Sequence, residues 1–90
     1  MSMDYQAEIR VVPRRGILDP QGKAIHGALV TLGFPGVGEV HVGRLIRIEV
    51  AADSAEDAHQ RAIAMCRQLL ANPVTEDYEI RVTELAESVR

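Results

Sequence analysis

The chain reads Gly16-Ile17-Leu18-Asp19-Pro20-Gln21-Gly22-Lys23 where its first helix is expected to begin. Asp19 is a strong helix N-cap, because its carboxylate can accept hydrogen bonds from first-turn amides that have no partner inside the helix. Pro20 suits the first helical position, where its missing N–H costs nothing. The stretch therefore predicts a loop that leads into a capped helix. Asn caps about as well as Asp and should replace Asp19 with little loss.

The residues after this start predict how the helix packs and where it ends. Apolar side chains recur at the spacing of one helical face, and that face is expected to be buried. They are Ile25, Ala28, Leu29 and Leu32. Gly33 can adopt the left-handed conformation that often ends a helix, so the first helix should end there.

Two other segments alternate apolar and polar residues, which is typical of strands with one buried face. The first spans about Tyr5 to Val12 and is ended by Pro13. The last spans about Tyr78 to Thr83. The polar segment 84–90 that follows is expected to be a frayed tail.

A second helix is predicted between the middle and last strands. Asp53 or Ser54 can cap it, and Glu56 or Asp57 lies three positions further on, as in a capping box. The dipeptide Asn72-Pro73 closes it. Its apolar stripe is expected to consist of Ala55, Ala58, Ala62, Met65 or Cys66, and Leu69.

The middle strand is predicted from a period-two pattern between Val40 and Val50 that persists across Gly43. A two-residue hairpin turn at Gly43-Arg44 is the alternative. It would place the two valines before Gly43 on the face opposite to the later apolar residues, which is unfavourable. We therefore favour one long strand that is bent at Gly43, since an interior strand glycine commonly marks such a kink. Its unpaired backbone could pair with a second copy of the chain.

The order of elements predicts an α+β domain of β-α-β-α-β topology. Two helices are expected to pack on one face of a small, mainly antiparallel sheet with a long bent central strand. The 90 residues suffice for a single domain, residues 1–90, with a core over 5–83. So short a chain buries only about 60–65% of its unfolded surface, so its stability margin is modest. Self-association as a homodimer or a dimer of dimers is expected.

The composition argues against several classes of function. The formal net charge is −3, whereas general nucleic-acid binders present a basic face. No run approaches the roughly 20 apolar residues that a membrane helix needs, and no export signal is recognised. The single cysteine, Cys66, cannot form an internal disulfide. We expect a cytoplasmic protein without nucleic-acid or membrane partners.

The glycines do not form a nucleotide-binding motif. Five residues separate Gly16 from Gly22-Lys23 where a P-loop needs four, and Ala24 stands in place of the Ser or Thr that binds the metal. The three glycines after the first helix run in the reverse order of the dinucleotide fingerprint, and they follow a helix instead of a strand.

The sequence assigns no residue a catalytic, cofactor-binding or metal-binding role. Cys66 lacks an activating base, because His59 lies seven positions away, roughly 10 Å along a helix. Cys66 is therefore interpreted as a small core residue. The three histidines, His26, His41 and His59, are too scattered to predict a metal site, which needs three or four converging ligands.

Three phrases of the sequence, taken in order, point to a known family. They are Gly16-Ile-Leu-Asp-Pro-Gln-Gly-Lys23, Val40-His-Val-Gly-Arg44 leading into Ile46-Arg-Ile-Glu-Val50, and Cys66-Arg-Gln-Leu-Leu-Ala-Asn-Pro-Val74 ending in Glu76-Asp-Tyr78. Because of these three phrases, the chain from about Tyr5 to Val82 resembles the PurS family, the small subunits of phosphoribosylformylglycinamidine synthase. The candidate structural or interface residues within these phrases are Gly16, Asp19, Pro20, Gly22, Gly43, Arg44, Asn72 and Pro73.

The resemblance implies a PurS-like, ferredoxin-like fold and a place in purine biosynthesis. In this family the enzyme is split into a large synthetase subunit (PurL), a glutaminase subunit (PurQ) and the small subunit. The complex uses ATP and Mg²⁺ to convert formylglycinamide ribonucleotide to its amidine, with ammonia from glutamine. The resemblance implies that the small subunit is a non-catalytic adaptor that joins the other two and supports ammonia transfer. It is expected to bind no cofactor itself.

Two other classes of function stay open at this point. A ligand-sensing domain of the ACT type also has a glycine-containing loop after its first strand, similar in position to Gly16–Asp19. A small ferredoxin-like enzyme would need converging polar groups in a pocket, which the sequence does not reveal. Titration with amino acids would distinguish a sensor from an adaptor, which should instead bind the large synthetase.

Overall fold

The structure is a computed structural model that describes residues 2–85. Three strands and two helices follow one another along the chain: β1 (Met3–Pro13), α1 (Pro20–Thr31), β2 (Arg44–Ala52), α2 (Ala55–Met65) and β3 (Glu76–Glu84). A π-helical segment, Cys66–Leu70, continues α2. The predicted order of elements and the α+β class are confirmed.

The three strands form one antiparallel sheet in the order β2-β1-β3. Ile9 at the middle of β1 lies opposite Ile46 on one side and Ile80 on the other. The middle strand of the sequence is thus an edge strand, and the first strand lies at the centre of the sheet. The side chains of β1 explain this position, because its inward-facing residues from Tyr5 to Val11 are all buried.

β2 begins at Arg44, four residues later than the predicted strand, and no hairpin forms at Gly43. Residues 40–43 lie outside the β1–β2 ladder. Their backbone has a different partner, since the N–H of Val42 donates to the Asp19 carboxylate at 2.9 Å. A Cβ atom at Gly43 would collide with the carbonyl oxygen of Val11, so the chain can approach β1 this closely only at a glycine.

α2 covers one face of the sheet and forms the core with it. The helix presents small side chains, Ala58 and Ala62, which let it lie close to the strands. The buried residues of the core are Tyr5, Ala7, Ile9, Val11, Ala52, Ala58, Ala62, Cys66 and Ala71. The core is therefore built almost entirely from small and aliphatic side chains.

The π-helical segment changes which leucine faces the core. The N–H of Ala71 donates to the carbonyl of Cys66 at 3.1 Å, five residues back instead of four. This wider turn rotates the following side chains, so Leu70 packs against the core while Leu69 is 83% exposed. The prediction that Leu69 belongs to the buried stripe is wrong for this reason. Ala55, at the first turn of α2, is exposed as well.

α1 projects from the body of the molecule. The stripe predicted to be buried is mostly exposed within one chain: 72% of Leu32 and 43% of Ile25 is accessible to solvent. The buried residue of α1 is Gly22. The molecule measures 55 × 31 × 15 Å, and its Cα radius of gyration is 17.2 Å. A compact domain of this length would have a radius of about 12 Å. The helix was predicted correctly, but its apolar face does not pack against the sheet of the same chain.

β3 extends further than the predicted strand. It continues to Glu84, and the N–H of Leu85 donates to the carbonyl of Asp4 at 3.0 Å. The predicted frayed tail therefore does not include residues 84 and 85, because the long β1 supplies partners for them. The rest of that tail, residues 86–90, lies outside the described residues.

The π-helical segment predicts unequal effects for its two adjacent leucines. Leu70→Ala should lower the free energy of unfolding by about 1–3 kcal/mol, because it removes apolar contacts with the core. Leu69→Ala is the matched control and should change it by less than about 0.5 kcal/mol. Denaturant unfolding measures both. Equal losses, or a larger loss for Leu69→Ala, would contradict the packing of Leu70 in place of Leu69 against the core.

Candidate functional site

The candidate residues from the sequence fall into two groups in the structure. Gly16, Asp19, Pro20 and Gly22 lie together at the start of α1, and we call this group the Asp19 cluster. Arg44, Asn72 and Pro73 lie where β2 begins and the π-helical segment ends, and we call this group the Arg44 corner. Gly43 stands between the two groups, against β1.

Asp19 joins two distant parts of the chain. Its Oδ1 accepts from the N–H of Gly22 at 3.0 Å, which caps α1, and its Oδ2 accepts from the N–H of Val42 at 2.9 Å. These two hydrogen bonds, helped by the nearby His41, hold the pKa of the Asp19 carboxyl below its ordinary value of 3.8. The side chain is therefore ionised at neutral pH, and it ties the start of α1 to the segment before β2.

Two glycines of the Asp19 cluster satisfy geometric constraints that other residues would not. Gly16 has φ +81°, a left-handed conformation that glycine adopts without steric cost. A Cβ at Gly22 would collide with the carbonyl oxygen of Val40. The start of α1 and residues 40–42 can therefore lie against each other only because Gly22 has no side chain.

A cleft of about 640 Å³ opens beside the Asp19 cluster, between the first turns of α1 and residues 38–41. Its rim includes Lys23 and two histidines that are far apart in sequence. His26 Nε2 lies 3.2 Å from the carbonyl oxygen of Val37. His41 lies with Nδ1 3.8 Å from Asp19 Oδ2 and with Nε2 3.6 Å from a carboxylate oxygen of Glu39.

The sequence did not reveal that these histidines share a cleft, since they lie 15 positions apart and no local pattern joins them. Both rings already have polar neighbours within the chain. Among residues 2–85, no group of three or more His, Cys, Asp or Glu side chains could hold a metal ion. Over the same residues, the helices are too short and too polar to cross a membrane.

The Arg44 corner is held by one guanidinium. Arg44 donates to both carboxylate oxygens of Glu76, at 2.7 and 3.0 Å, and to the carbonyl of Leu70 at 2.7 Å. Glu76 Oε1 also accepts from the N–H of Asn72 at 2.7 Å. The hydrogen bonds from Arg44 and Asn72 lower the pKa of Glu76, and the bond to Glu76 raises the pKa of Arg44. This network joins the start of β2, the end of the π-helical segment and the start of β3.

Asn72 and Pro73 form the turn that leads into β3. The Asn72 carbonyl accepts from the N–H groups of Thr75 and Glu76, and its side-chain oxygen accepts from the N–H of Val74 at 2.9 Å. Glu76 is the important residue of this corner that sequence reasoning did not single out. Its position four residues after Asn72, within the third family phrase, was the available signal.

Cys66 lies in the core, with no exposed surface. Burial raises the pKa of its thiol above the ordinary value of 9.0, so the thiol stays protonated at neutral pH. A nucleophilic cysteine needs the opposite shift and an adjacent base. The environment of Cys66 is that of a packing residue.

Comparisons with known proteins agree with one another. The PurS family profile, described as phosphoribosylformylglycinamidine (FGAM) synthase, matches residues 6–84. The phosphoribosylformylglycinamidine synthase subunit PurS of Synechocystis sp. is 39% identical over 89 residues, which cover 99% of this chain and 89% of the relative. The structure of Thermus thermophilus PurS is similar with a TM-score of 0.80 at 43% identity, covering 92% of this chain and 99% of that one. A chain in the structure of PurLQS from Thermotoga maritima is similar with a TM-score of 0.78 at 34% identity, covering 91% of this chain and 98% of that one.

The two hydrogen bonds of Asp19 predict that Asn cannot replace it. An Asn carbonyl can accept from Gly22, but its NH₂ group would face the N–H of Val42, donor against donor. Asp19→Asn should lower the melting temperature at pH 7 by at least about 4 °C. The control is Ser54→Asn at the cap of α2, where the side chain accepts from Asp57 alone and Asn should be tolerated. Scanning calorimetry measures both, and equal melting temperatures for the wild type and Asp19→Asn would contradict the bridging role.

The dependence of stability on pH distinguishes the contribution of the Asp19 charge from that of the shape of its side chain. Because its pKa is lowered on folding, its contribution to stability is complete above the ordinary value of 3.8 and is lost as pH falls through the lower folded value. The difference between the wild type and Asp19→Asn should therefore be constant from about pH 5 to 7 and shrink below about pH 4. A difference that does not change down to pH 2 would show that the charge has no part in it.

Proposed function

This chain belongs to the PurS family of phosphoribosylformylglycinamidine synthase, and we propose that it is the small, non-catalytic subunit of that ligase in purine biosynthesis. In this role it bridges the large synthetase subunit, PurL, and the glutaminase subunit, PurQ, and supports the transfer of ammonia between them. The assembled enzyme uses ATP and Mg²⁺, and this chain binds neither. The complex works in the cytoplasm.

The observation that carries the proposal is the uncovered apolar surface on and beside α1. Monomeric proteins seldom expose contiguous apolar patches beyond a few hundred Å², and larger ones mark interaction sites. Here the exposed large apolar residues of this region are Ile17, Leu18, Ile25, Val30, Leu32 and Phe34. A surface of this kind fits assembly with other chains.

The chemistry of the described residues also favours a non-catalytic role. Burial keeps the Cys66 thiol protonated, and the carboxylate of Asp19 is already engaged by two backbone amides. Neither residue can act as a nucleophile or base without breaking the fold around it. Glutamine hydrolysis and ATP use are therefore assigned to the other two subunits.

We infer that part of the apolar surface of α1 is covered by a second copy of the chain. A domain of this size gains much of its stability from association. α2 is the one helix that packs on the sheet within residues 2–85, and the inward residues of β2, Ile46 and Ile48, are only half-buried beside it. In a homodimer or a dimer of dimers, the apolar face of α1 in one copy can cover the half-buried inward face of β2 in another.

The candidate residues receive structural roles in this proposal. The Asp19 cluster, with Gly43, sets the direction in which α1 projects toward other chains. The Arg44 corner, with Asn72 and Pro73, fixes the end of the helical layer against the sheet. Residues 1–90 act as one domain.

The ligand-sensing alternative is not favoured, because the family match extends over both helices and all three strands. The loop Gly16–Asp19 that suggested an amino-acid sensor instead orients α1. Calorimetric titration with free amino acids should give no binding heat.

The subunit role predicts a specific pattern of activity. Alone, the chain should show no glutaminase, ATPase or amidotransferase turnover, and its omission should abolish glutamine-dependent product formation by the other two subunits of its source organism. Ammonia supplied directly should partly restore activity, since the synthetase then needs no delivery. A pair of subunits that works fully on glutamine without this chain would contradict the adaptor role.

Cys66→Ala provides the control for a hidden catalytic role. The variant complex should keep its activity within a few-fold, whereas loss of a covalent nucleophile costs orders of magnitude. A Cys66→Ala complex that assembles normally and is inactive would overturn the assignment of a non-catalytic subunit.

The proposed contact between copies predicts a difference between two exposed leucines. Leu32→Glu places a charge on the apolar surface of α1 and should shift the chain from oligomer to monomer at micromolar concentration. Leu69→Glu makes the same change at an exposed site on the π-helical segment and should leave the oligomer intact. Light scattering measures the mass of each. A wild-type monomer, or an intact Leu32→Glu oligomer, would contradict the proposed contact.

A further inference from the structure

Residues 37–42, which lead toward β2, lie along one side of α1, and we call them the strap. The strap runs antiparallel to the helix and meets it at three places. The contacts join Asp19 to Val42, Gly22 to Val40 and His26 to Val37. Because the helix positions are three and four residues apart, all three contacts lie on the same side of α1.

Each contact depends on one side chain of the helix or on the absence of one. Asp19 Oδ2 accepts from the N–H of Val42 at 2.9 Å. His26 Nε2 lies 3.2 Å from the carbonyl oxygen of Val37, close enough for its N–H to donate. Between these two ends the helix can approach the strap only at Gly22, since a Cβ there would collide with the strap backbone. The strap is therefore fastened at both ends and closely packed in the middle.

The strap leaves the apolar stripe of α1 uncovered and fixes the direction in which it points. Each residue turns an α-helix by about 100°, which places the stripe roughly 100° around the helix axis from the strap contacts. Ile25, Ala28 and Leu32 of the stripe are exposed, and Leu29 is half-buried. A helix that is held along one side at three places can neither swing nor roll freely.

The same chain offers a second place for this stripe. The inward face of β2 is only half-buried beside α2, at Ile46, Ile48 and Val50. Residues 14–19 and 32–43 connect α1 to β1 and β2, and extended chains of these lengths reach about 20 and 40 Å. The helix itself is about 18 Å long. The connections are thus long enough for α1 to fold back onto its own sheet if the strap is released.

We propose that the strap is a conformational device that keeps α1 open. It holds the apolar stripe away from the inward face of β2 on the same chain, and both surfaces then remain for a second copy. This inference rests on the proposed function, in which α1 of one copy covers β2 of another. Contact within one chain has the higher effective concentration and wins unless geometry forbids it. The strap supplies that restriction, and His26 is a positioning residue within it.

The substitution Gly22→Ala releases the strap, because the added methyl group displaces it while alanine favours the helix. The matched control is Gly27→Ala, the same change in the same helix, where a Cβ meets no atom within 4 Å. A Cβ at Gly22 also approaches the Asp19 carboxylate, so His26→Leu serves as a second release variant that leaves this cap in place. Circular dichroism checks that each variant is folded.

Two measurements follow the opening of α1. Light scattering gives the concentration at which the oligomer dissociates, and small-angle X-ray scattering gives the radius of gyration of the dissociated chain. This concentration should rise at least about tenfold in Gly22→Ala and about threefold in His26→Leu, because a closed chain cannot associate. The dissociated variants should have a radius near 12 Å, against 17.2 Å for the open chain. Gly27→Ala should match the wild type.

Wild-type dissociation in either folded release variant, or a dissociated variant that keeps the open radius, would overturn the device. A compact dissociated wild-type chain would overturn it too, since the strap would then fail to hold α1 open. If Gly22→Ala does not fold, His26→Leu decides alone. A wild-type chain that stays monomeric at micromolar concentration would instead contradict the contact between copies in the proposed function.

Discussion

The Asp19 carboxylate makes the interaction on which the arrangement of this molecule depends. One oxygen caps α1 and the other accepts from the backbone of Val42, just before β2. α1 has little other support, because its apolar face does not pack on the chain's own sheet. Two charge-assisted hydrogen bonds to backbone amides, together with the close approach at Gly22, therefore set the direction of the whole helix.

The part of the molecule that stabilises the fold differs from the part that is available for contacts with other chains. The core lies between α2 and one face of the sheet, where small side chains allow close packing. The Arg44 corner fixes the end of that layer through Glu76 and the Leu70 carbonyl. The apolar surface of α1 remains outside this core. A chain with a small core and an uncovered apolar surface is suited to joining other proteins.

The sequence predicted well wherever a structure depends on close neighbours in the chain. The caps at Asp19 and Ser54, the end of α1 near Gly33 and the alternation of β1 all follow from residues within a few positions of one another. Both groups of candidate residues lie within the family phrases. Glu76 was missed because its partner Arg44 lies 32 residues away, and no local pattern joins the two.

By itself, then, the sequence determined the helices, the strand faces, the burial of Cys66 and the family. Only the tertiary structure decided that β1 lies at the centre of the sheet, that the π-helical turn brings Leu70 instead of Leu69 to the core, and that α1 projects with its apolar face uncovered. Hydrophobic periodicity shows which face of a helix avoids water, but it does not show which surface will cover that face. That choice depends on contacts between distant residues, and for α1 the structure of one chain leaves the face free for another.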